Sequence, residues 1–195
     1  MSNIIKEDKY EELVEIGKYL ASLGLIWGRE GNLSARTEKG IIIKATNTAA
    51  AFATREDYSL VSLDGTLIRG RQPSLEIKMH LGLYRLSNKI NYVFHTHPTY
   101  TLACAEVKDK ITFDHYLEAK YYFNNPYIPV LPVFEAGSQE LAEGAVSAIS
   151  KGFEAAVLKK HGIVTIGETA DIALMRTLII EKECQIETLS KILKL

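Results

Sequence analysis

Hydrophobic residues recur at intervals of three and four near the start of the chain, over residues 6–23. The residues that would share one face of a helix are Tyr10, Leu13, Val14, Ile16, Tyr19, Leu20 and Leu23. Such an apolar stripe is typical of an amphipathic helix that packs against a core. Gly24 follows the last of them, and glycine commonly ends a helix because it adopts the left-handed backbone conformation without strain.

The rest of the chain alternates between short apolar runs bounded by turn residues and longer runs of helical period. The runs typical of strands cover residues 33–36, 41–46, 58–62, 66–69, 92–96, 127–132, 155–158 and 163–166. Further helices are predicted over residues 73–85, 98–105, 113–122 and 138–150, and from about residue 169 nearly to the C-terminus. Turns such as Asp64-Gly65 are short enough for hairpins, so we expect one mixed sheet with helices on its faces.

Two of the predicted helices carry residues that suit a helix start. Ser74 is predicted to cap the helix over residues 73–85, because a serine side chain accepts a hydrogen bond from a free amide of the first turn. Pro98 fits the first turn of the next helix, where its missing N–H needs no partner. No linker rich in proline, glycine or serine and no internal repeat divides the chain.

The composition narrows the class of protein. The chain has 195 residues, with 23 Lys+Arg against 24 Asp+Glu and a formal net charge of −1. A chain of about 200 residues favours one domain. Near-neutral charge argues against a sequence-independent nucleic-acid binder, which needs a basic excess to neutralise phosphates.

The sequence also bears on the compartment. No stretch approaches about 18 consecutive apolar residues, so we expect no membrane-spanning helix and no membrane partner. The N-terminus is acidic and of helical period, so we expect no secretory signal. Cys104 and Cys184 are too few for a disulfide framework or a CxxC metal site. We therefore expect a cytoplasmic protein.

The most specific feature is His95-Thr96-His97, at the end of a predicted strand. Strand side chains alternate, so the two imidazoles point to the same side and can bind one ion. Neutral imidazole is a common ligand of zinc and similar divalent metals. Taken alone, the pair is explained more simply by strand-end histidines bonded to backbone or water.

A third histidine, His161, favours a metal site over ordinary strand-end histidines. It lies in a predicted turn before Gly162, and the glycine lets backbone or substrate approach closely. A third imidazole would complete a three-histidine site with one coordination position free, which is the arrangement of a catalytic metal rather than a structural one. We expect the other two histidines outside this set, with His80 packed in the core or behind the ligands and His115 at a surface or interface.

Glu76 is the candidate for proton transfer. It lies in the first turn of a predicted helix, where the helix dipole alone favours an acidic residue by roughly 0.3–1 kcal/mol. The residues leave both readings open: a carboxylate that complements the dipole, or one that moves a proton to or from carbon beside a metal. Gly31-Asn32 and Thr46-Asn47-Thr48 are short polar loops at strand edges, which suit either an anion or ordinary turns.

Six segments, in this order and at fitting intervals, resemble the class II aldolase/adducin head family. They are Gly31-Asn32-Leu33-Ser34, Ile42-Ile43-Lys44-Ala45-Thr46-Asn47, Pro73-Ser74-Leu75-Glu76, His95-Thr96-His97, Gly137-Ser138-Gln139-Glu140-Leu141 and His161-Gly162. They extend over nearly the whole chain. The resemblance implies one domain over residues 1–195, of α/β class, with three layers (α/β/α) and a mixed, largely antiparallel central sheet.

The resemblance also implies a metal centre. It implies a divalent metal, usually zinc, bound by His95, His97 and His161, and manganese, cobalt or iron also suit these ligands. It implies that Glu76 transfers a proton and is a further metal ligand when substrate is absent. The glutamate favours aldolase chemistry, because the epimerase-like pattern has aspartate there.

Substrate and assembly are implied in the same way. The residues at positions that bind the phosphate of sugar-phosphate substrates are Asn32, Thr46, Asn47 and Ser74. The sugar-phosphate members are usually homotetramers with active sites between subunits, to which a tyrosine from a neighbouring chain can contribute. Tyr121 and Tyr122 lie in a region that could supply it.

Two residues depart from the family pattern. The phosphate loop commonly has glycine where this chain has Asn47, and Leu75 replaces the second serine of Pro-Ser-Ser-Glu. The Asn47 side chain takes up space, and Leu75 removes a hydroxyl group that would bind phosphate. Lys44 could assist the binding of phosphate, or a carboxylate or an uncharged sugar could bind instead.

We therefore expect a metal-dependent aldehyde-lyase that cleaves or forms a carbon–carbon bond in a small sugar phosphate or related hydroxy-ketone, through a metal-stabilised enediolate. Glu76 would need a pKa nearer neutrality than about 4.3, which burial can supply while the metal charge opposes it. An epimerase, dehydratase or decarboxylase of the same fold would use the same three histidines. A non-catalytic adducin-like binding module is the alternative of another class, and the intact set of histidines and glutamate argues against it.

Overall fold

The computed structural model describes residues 8–193. The helices within them are α1 (Lys9–Ser22), α2 (Ile77–Leu86), α3 (Thr99–Val107), α4 (Gln139–Ser150) and α5 (Ala170–Ile192). The strands are β1 (Asn32–Thr37), β2 (Gly40–Lys44), β3 (Tyr58–Val61), β4 (Leu67–Arg69), β5 (Tyr92–Thr96), β6 (Lys110–Thr112), β7 (Tyr127–Leu131), β8 (Ala155–Leu158) and β9 (Gly162–Gly167). Residues 1–7 lie outside the described residues. They include the start of the first predicted helix and of the N-terminal segment in which we expect no secretory signal.

One sheet joins the nine strands of the described region in the order β4-β3-β2-β1-β5-β9-β8-β7-β6. Neighbouring strands are antiparallel except β7 and β8, which are parallel. The chain crosses between these two through α4, because parallel neighbours cannot be joined by a tight turn. The expected mixed, largely antiparallel sheet is confirmed.

Strand side chains alternate between hydrophobic cores on opposite faces of the sheet. Ile42 of β2 packs with residues of α1 and α5, whereas Ile41 and Ile43 pack with α2 and α4. Further along the first face, Val157 of β8 packs with α3 and α5. Helices therefore cover both faces, and the expected α/β/α layering is confirmed. None of the helices in residues 8–193 is long and apolar enough to cross a membrane.

The prediction that Ser74 caps the second helix is wrong. The cap position of α2 is Glu76, whose side chain makes no capping hydrogen bond. Pro73 forms a β-bridge with Ala45, and the Ser74 amide donates to the carbonyl oxygen of Lys44 at 3.1 Å. Because these residues extend the sheet, the helix starts later than predicted, directly after Glu76.

The predicted helix over residues 113–122 is also wrong. Only Leu117–Tyr121 is helical, as a short 3-10 helix, and the strand before it, β6, pairs with β7. The carboxylate of Glu183, on α5, accepts hydrogen bonds from the backbone amides of residues 114–116 at 3.0, 2.8 and 2.8 Å. A contact from far along the chain thus fixes this segment against its local helical pattern. The other predicted elements agree with the structure in type, with ends displaced by a few residues.

Candidate active site

The end of β5 brings two histidines to the same side of the sheet. His95 is fully buried within β5, and His97 follows the strand directly before Pro98, which occupies the cap position of α3. Their ring centroids lie 4.7 Å apart. Nδ1 of His95 is 2.9 Å from the carbonyl oxygen of Ile163. A carbonyl only accepts, so Nδ1 carries a proton, and in the neutral ring Nε2 presents its lone pair.

His161 joins this pair because β9 lies next to β5 in the sheet. The turn before β9 places its ring centroid 4.8 Å from that of His95 and 5.2 Å from that of His97. Gly162 permits this approach, since a Cβ there would lie 2.3 Å from the carbonyl oxygen of Thr96. One nitrogen from each of the three histidines lies within 4.8 Å of the others.

The Glu76 carboxylate completes the cluster. Oε2 lies 3.0 Å from Nε2 of His95, and Oε1 lies 3.1 Å from Nε2 of His161. Burial raises the pKa of Glu76, but in the metal-free protein the charge of a protonated His95 and hydrogen bonds from His95 and His161 outweigh it and hold the pKa well below its usual range. For this arrangement the expectation of a pKa nearer neutrality is wrong, because two imidazoles contact the carboxylate directly. Burial lowers the pKa of His95, but the facing Glu76 carboxylate outweighs burial and raises this pKa overall.

A second carboxylate, Glu30, faces His97 from the other side. Its Oε2 lies 3.2 Å from Nδ1 of His97, and its Oε1 accepts a hydrogen bond from the Trp27 amide at 2.8 Å. Burial, with the neighbouring His95 and His161, lowers the pKa of His97 to about 3. An acceptor at Nδ1 leaves Nε2 of the neutral ring as a lone-pair donor. Sequence reasoning missed Glu30, and its one signal was an acidic residue in the glycine-rich loop that leads into β1.

The atoms of this cluster turn their electron pairs toward one region. Nε2 of His95 and Nε2 of His97 are 2.9 Å apart, and each ring, when neutral, presents a lone pair there because its Nδ1 faces an acceptor. Oε1 of Glu76 has no hydrogen bond of suitable geometry among the described residues. Electron-pair donors this close repel unless a positive charge lies between them. Imidazoles and a carboxylate are ligands of zinc-like ions, so the donor set fits a divalent cation.

The residues expected to bind phosphate line one cavity of about 200 Å³ together with Glu76, His97 and His161; they are Asn32, Thr46, Asn47 and Ser74. Asn47 has φ 60°, the left-handed conformation in which asparagine is the best substitute for glycine. The Asn32 side chain is already engaged, because its Nδ2 donates to Oε2 of Glu76 at 2.9 Å.

Two basic residues border this cavity. The buried Lys44 ammonium donates to the carbonyl oxygens of Arg29, Glu30 and Thr48 at 3.1, 3.4 and 2.6 Å. It therefore ties the loop before β1 to the loop after β2, and burial lowers its pKa to about 8. The exposed side chain of Arg29 lines the cavity, and sequence reasoning missed it.

The remaining histidines lie outside the three-histidine cluster, as expected. His80 is fully buried on α2 and contacts Asn32 and Ser34. His115 is exposed, and its Nδ1 pairs with Glu183 at 2.8 Å.

This architecture has a counterpart among known proteins. The family model of the class II aldolase and adducin N-terminal domain matches residues 11–188. The chain belongs to this family. The class II aldolase family and the fold expected from the sequence are therefore confirmed.

Individual class II aldolase relatives match most of the chain. It is 32% identical over 183 residues to the L-fuculose phosphate aldolase of Methanococcus maripaludis, which covers 94% of this chain and 98% of that protein. It is 32% identical over 164 residues to the 5-deoxy-D-ribulose 1-phosphate aldolase of Bacillus thuringiensis, covering 83% and 75%. The solved L-fuculose-1-phosphate aldolase from Thermus thermophilus gives a TM-score of 0.84 at 26% identity over 95% of both chains. Relatives named as aldolases agree with the enzyme class expected from the sequence.

Proposed function

We propose that this chain is a metal-dependent aldolase, a class II aldehyde-lyase, which cleaves or forms a carbon–carbon bond in a small sugar phosphate. The observation that carries the proposal is the meeting of His95, His97 and His161 with Glu76 at a cavity lined by polar loops. A binding module has no need of a buried carboxylate held among three imidazoles. The aldolase names of the relatives support the same reaction.

We further propose that the three histidines hold a divalent metal, zinc first, with manganese, cobalt or iron as alternatives. Glu76 would be a fourth ligand when no substrate is bound. The facing lone pairs of His95 and His97 support this ligand set. When bound, the ion supplies Lewis-acid stabilisation of the negative charge that develops on substrate oxygen during carbon–carbon cleavage.

Glu76 is the group that exchanges a proton with the substrate carbon. A positive charge beside the carboxylate, from a protonated His95 in the metal-free protein or from the proposed ion, keeps it ionised, so it is ready to take a proton in the synthetic direction. When the carboxylate leaves His95 and His161 for the substrate, burial remains, and burial alone raises its pKa. The carboxyl group can then return the proton to carbon in the cleavage direction. A tyrosine or a water molecule would serve the aldehyde oxygen.

Local donors would bind the phosphate group. Thr46, Asn47 and Ser74 contribute side-chain donors to the cavity, and Arg29 contributes a positive charge. Local charge matters because the whole chain has a formal net charge of −1 and no general positive field. Arg29 compensates for Leu75, which has no hydroxyl to offer.

We also propose a homotetramer with active sites between subunits. Neither Tyr121 nor Tyr122 lines the cavity of its own chain, so either would act in a neighbouring site. Tyr121 is 73% exposed, which suits that role. The exposed apolar side chain of Leu75 lines the cavity, and the exposed Trp27 lies two residues before the cavity-lining Arg29, so both suit an interface.

Product analysis tests the proposed reaction. Metal-loaded protein is incubated with ketose 1-phosphates in deuterated water, and the products are followed by NMR. An aldolase releases an aldehyde and a three-carbon keto phosphate that carries deuterium next to its carbonyl group. An epimerase yields a stereoisomer and a dehydratase removes water, whereas a decarboxylase leaves these substrates unchanged because they have no carboxyl group. A stereoisomer or a dehydrated product in place of the aldehyde and the keto phosphate would overturn the proposal, and so would the absence of any product across the series of ketose 1-phosphates.

A further inference from the structure

His80 occupies a position between the core and the active site. It lies on α2 one turn after Glu76 and is fully buried, yet both of its ring nitrogens have polar partners. Nε2 is 2.5 Å from Oδ1 of Asn32, and Nδ1 is 2.6 Å from Oγ of Ser34. A buried imidazole with two short contacts is held in one orientation.

These contacts belong to one continuous chain of buried side chains. Tyr84 OH is 2.8 Å from Oγ of Ser34, which contacts His80, and Asn32 connects His80 to Glu76. At most 5% of any member is exposed. The chain therefore runs from the core beneath the sheet to the candidate catalytic carboxylate without reaching solvent.

The chemistry of the donors and acceptors fixes the direction of each hydrogen bond. An ionised Glu76 only accepts, so the Asn32 group that faces it must be the NH2 and the group that faces His80 must be the carbonyl oxygen. That oxygen also only accepts, so Nε2 of His80 must carry a proton. Nδ1 of the neutral ring then accepts from Ser34, and Ser34 accepts from the Tyr84 hydroxyl.

We propose that His80 is a positioning residue, which donates from Nε2 to Oδ1 of Asn32 and thereby fixes the amide that orients the Glu76 carboxylate. The inference rests on the proposed role of Glu76 in proton transfer. An asparagine amide has two orientations related by a half-turn, and only one of them donates to Glu76. The other would turn a carbonyl oxygen toward a carboxylate, which is repulsive. The N–H group of His80 can donate to Asn32 only in the orientation that turns the Asn32 carbonyl oxygen toward His80.

Two amide substitutions separate this role from ordinary packing. In His80→Gln, the longer side chain places an NH2 group where Nε2 of histidine lies, so the bond to Asn32 is retained. In His80→Asn, the shorter side chain reaches the Nδ1 position, so it retains the contact to Ser34 and loses the contact to Asn32. The two variants are matched in charge and polarity, and the serine has a second acceptor in the Val93 carbonyl at 3.4 Å.

The first readout is kinetic. We expect His80→Asn to lower kcat on the order of 10²-fold with little change in KM, because misplacing a reacting group weakens the transition state more than substrate binding. His80→Gln should recover most of that loss. Metal content and the midpoint of thermal unfolding are measured for both. An equal loss of kcat in the two variants, or no loss in His80→Asn, would overturn the inference.

The second readout needs no turnover. The side-chain amide signals of Asn32 are followed in nitrogen-15 NMR spectra and identified by their loss in Asn32→Asp. We expect these signals to stay in place in His80→Gln and to move in His80→Asn, whereas unchanged signals in His80→Asn would overturn the inference. If His80→Asn does not fold, His80→Leu removes the same bond and carries the same expectation. An inactive wild type would contradict the proposed function, and the NMR result would still decide the position of Asn32.

Discussion

Glu30 and His97 form a carboxylate–imidazole pair, with Oε2 3.2 Å from Nδ1. The pair lies on the opposite side of the imidazole from the cluster of ring nitrogens. Such a carboxylate fixes the tautomer of a ligand histidine and raises its basicity, which strengthens metal binding. Glu30 thus extends the candidate metal site by one residue, which supports His97.

Replacing this carboxylate should weaken the metal site. We expect Glu30→Ala to lower metal affinity by about 10–100-fold, as is typical for the loss of such a partner. Glu30→Gln should have a smaller effect, because its amide oxygen can still accept from Nδ1. Competition with a chelator of known affinity measures both. Glu106→Gln, at an exposed position, is the control, and equal affinity in Glu30→Ala and that control would contradict the prediction.

The three proposed ligands can be tested through metal content. His95→Ala, His97→Ala and His161→Ala should each lower the metal-to-protein ratio measured by elemental analysis. His115→Ala should leave the ratio unchanged, because His115 is exposed and pairs with Glu183. An unchanged ratio in a variant of the cluster would count against that histidine as a ligand.

Glu76 should be required for the chemistry more than for the fold. Glu76→Gln keeps the shape of the side chain but cannot exchange a proton, so kcat should fall by about 10²–10⁴-fold. Exchange of the substrate carbon proton with deuterated solvent should fall in parallel. Full lyase activity in metal-loaded Glu76→Gln or Glu76→Ala would remove Glu76 from the mechanism.

Arg29 should act on the phosphate group alone. We expect Arg29→Gln to raise KM for a phosphorylated substrate by about tenfold, which corresponds to the loss of one charge-assisted contact. Lys18→Gln makes the same charge change on the exposed side of α1 and should leave KM unchanged. If Arg29→Gln raises KM equally for a dephosphorylated analogue, the side chain is not recognising phosphate.

Burial of His80 should make the stability of the metal-free protein depend on pH. Its pKa falls from 6.5 to about 3 because burial disfavours the charged ring. As the pH drops below 6.5, the unfolded chain binds the proton first, so the contribution to stability is complete above 6.5 and is lost toward about 3. The slope is at most about 1.4 kcal/mol per pH unit.

Urea unfolding across this pH range measures the slope. Replacement by glutamine, His80→Gln, should reduce the pH dependence of the free energy of unfolding, since the new side chain does not titrate. Equal slopes for the wild type and His80→Gln would show that His80 does not titrate differently on unfolding.

The sequence predicted the parts of the site that depend on local periodicity. His95 and His97 point the same way because they are two residues apart at the end of a strand. His161 was predictable as a partner through its turn and Gly162, although its distance from β5 depends on the pairing of two strands far apart in the chain. Local pattern and tertiary structure agree at these positions.

The errors arise where distant residues determine local structure. Residues 114–116 have a helical pattern, but the Glu183 carboxylate takes their amides. Ser74 is a good helix cap by type, but Lys44 holds its amide in an extension of the sheet. Glu30 could not be assigned from the sequence, because its contact with His97 exists only once the loop before β1 packs beside β5.

Lys44 has a consequence for how this site could acquire a new substrate. Three carbonyl oxygens from two loops converge on one ammonium group, so neither loop can shift without breaking a buried charge-assisted hydrogen bond. The opening of the cavity is therefore preorganised rather than adaptable. Changes of specificity should arise by exchange of exposed side chains on this fixed rim, such as Arg29 and Leu75, while the backbone beneath them stays the same.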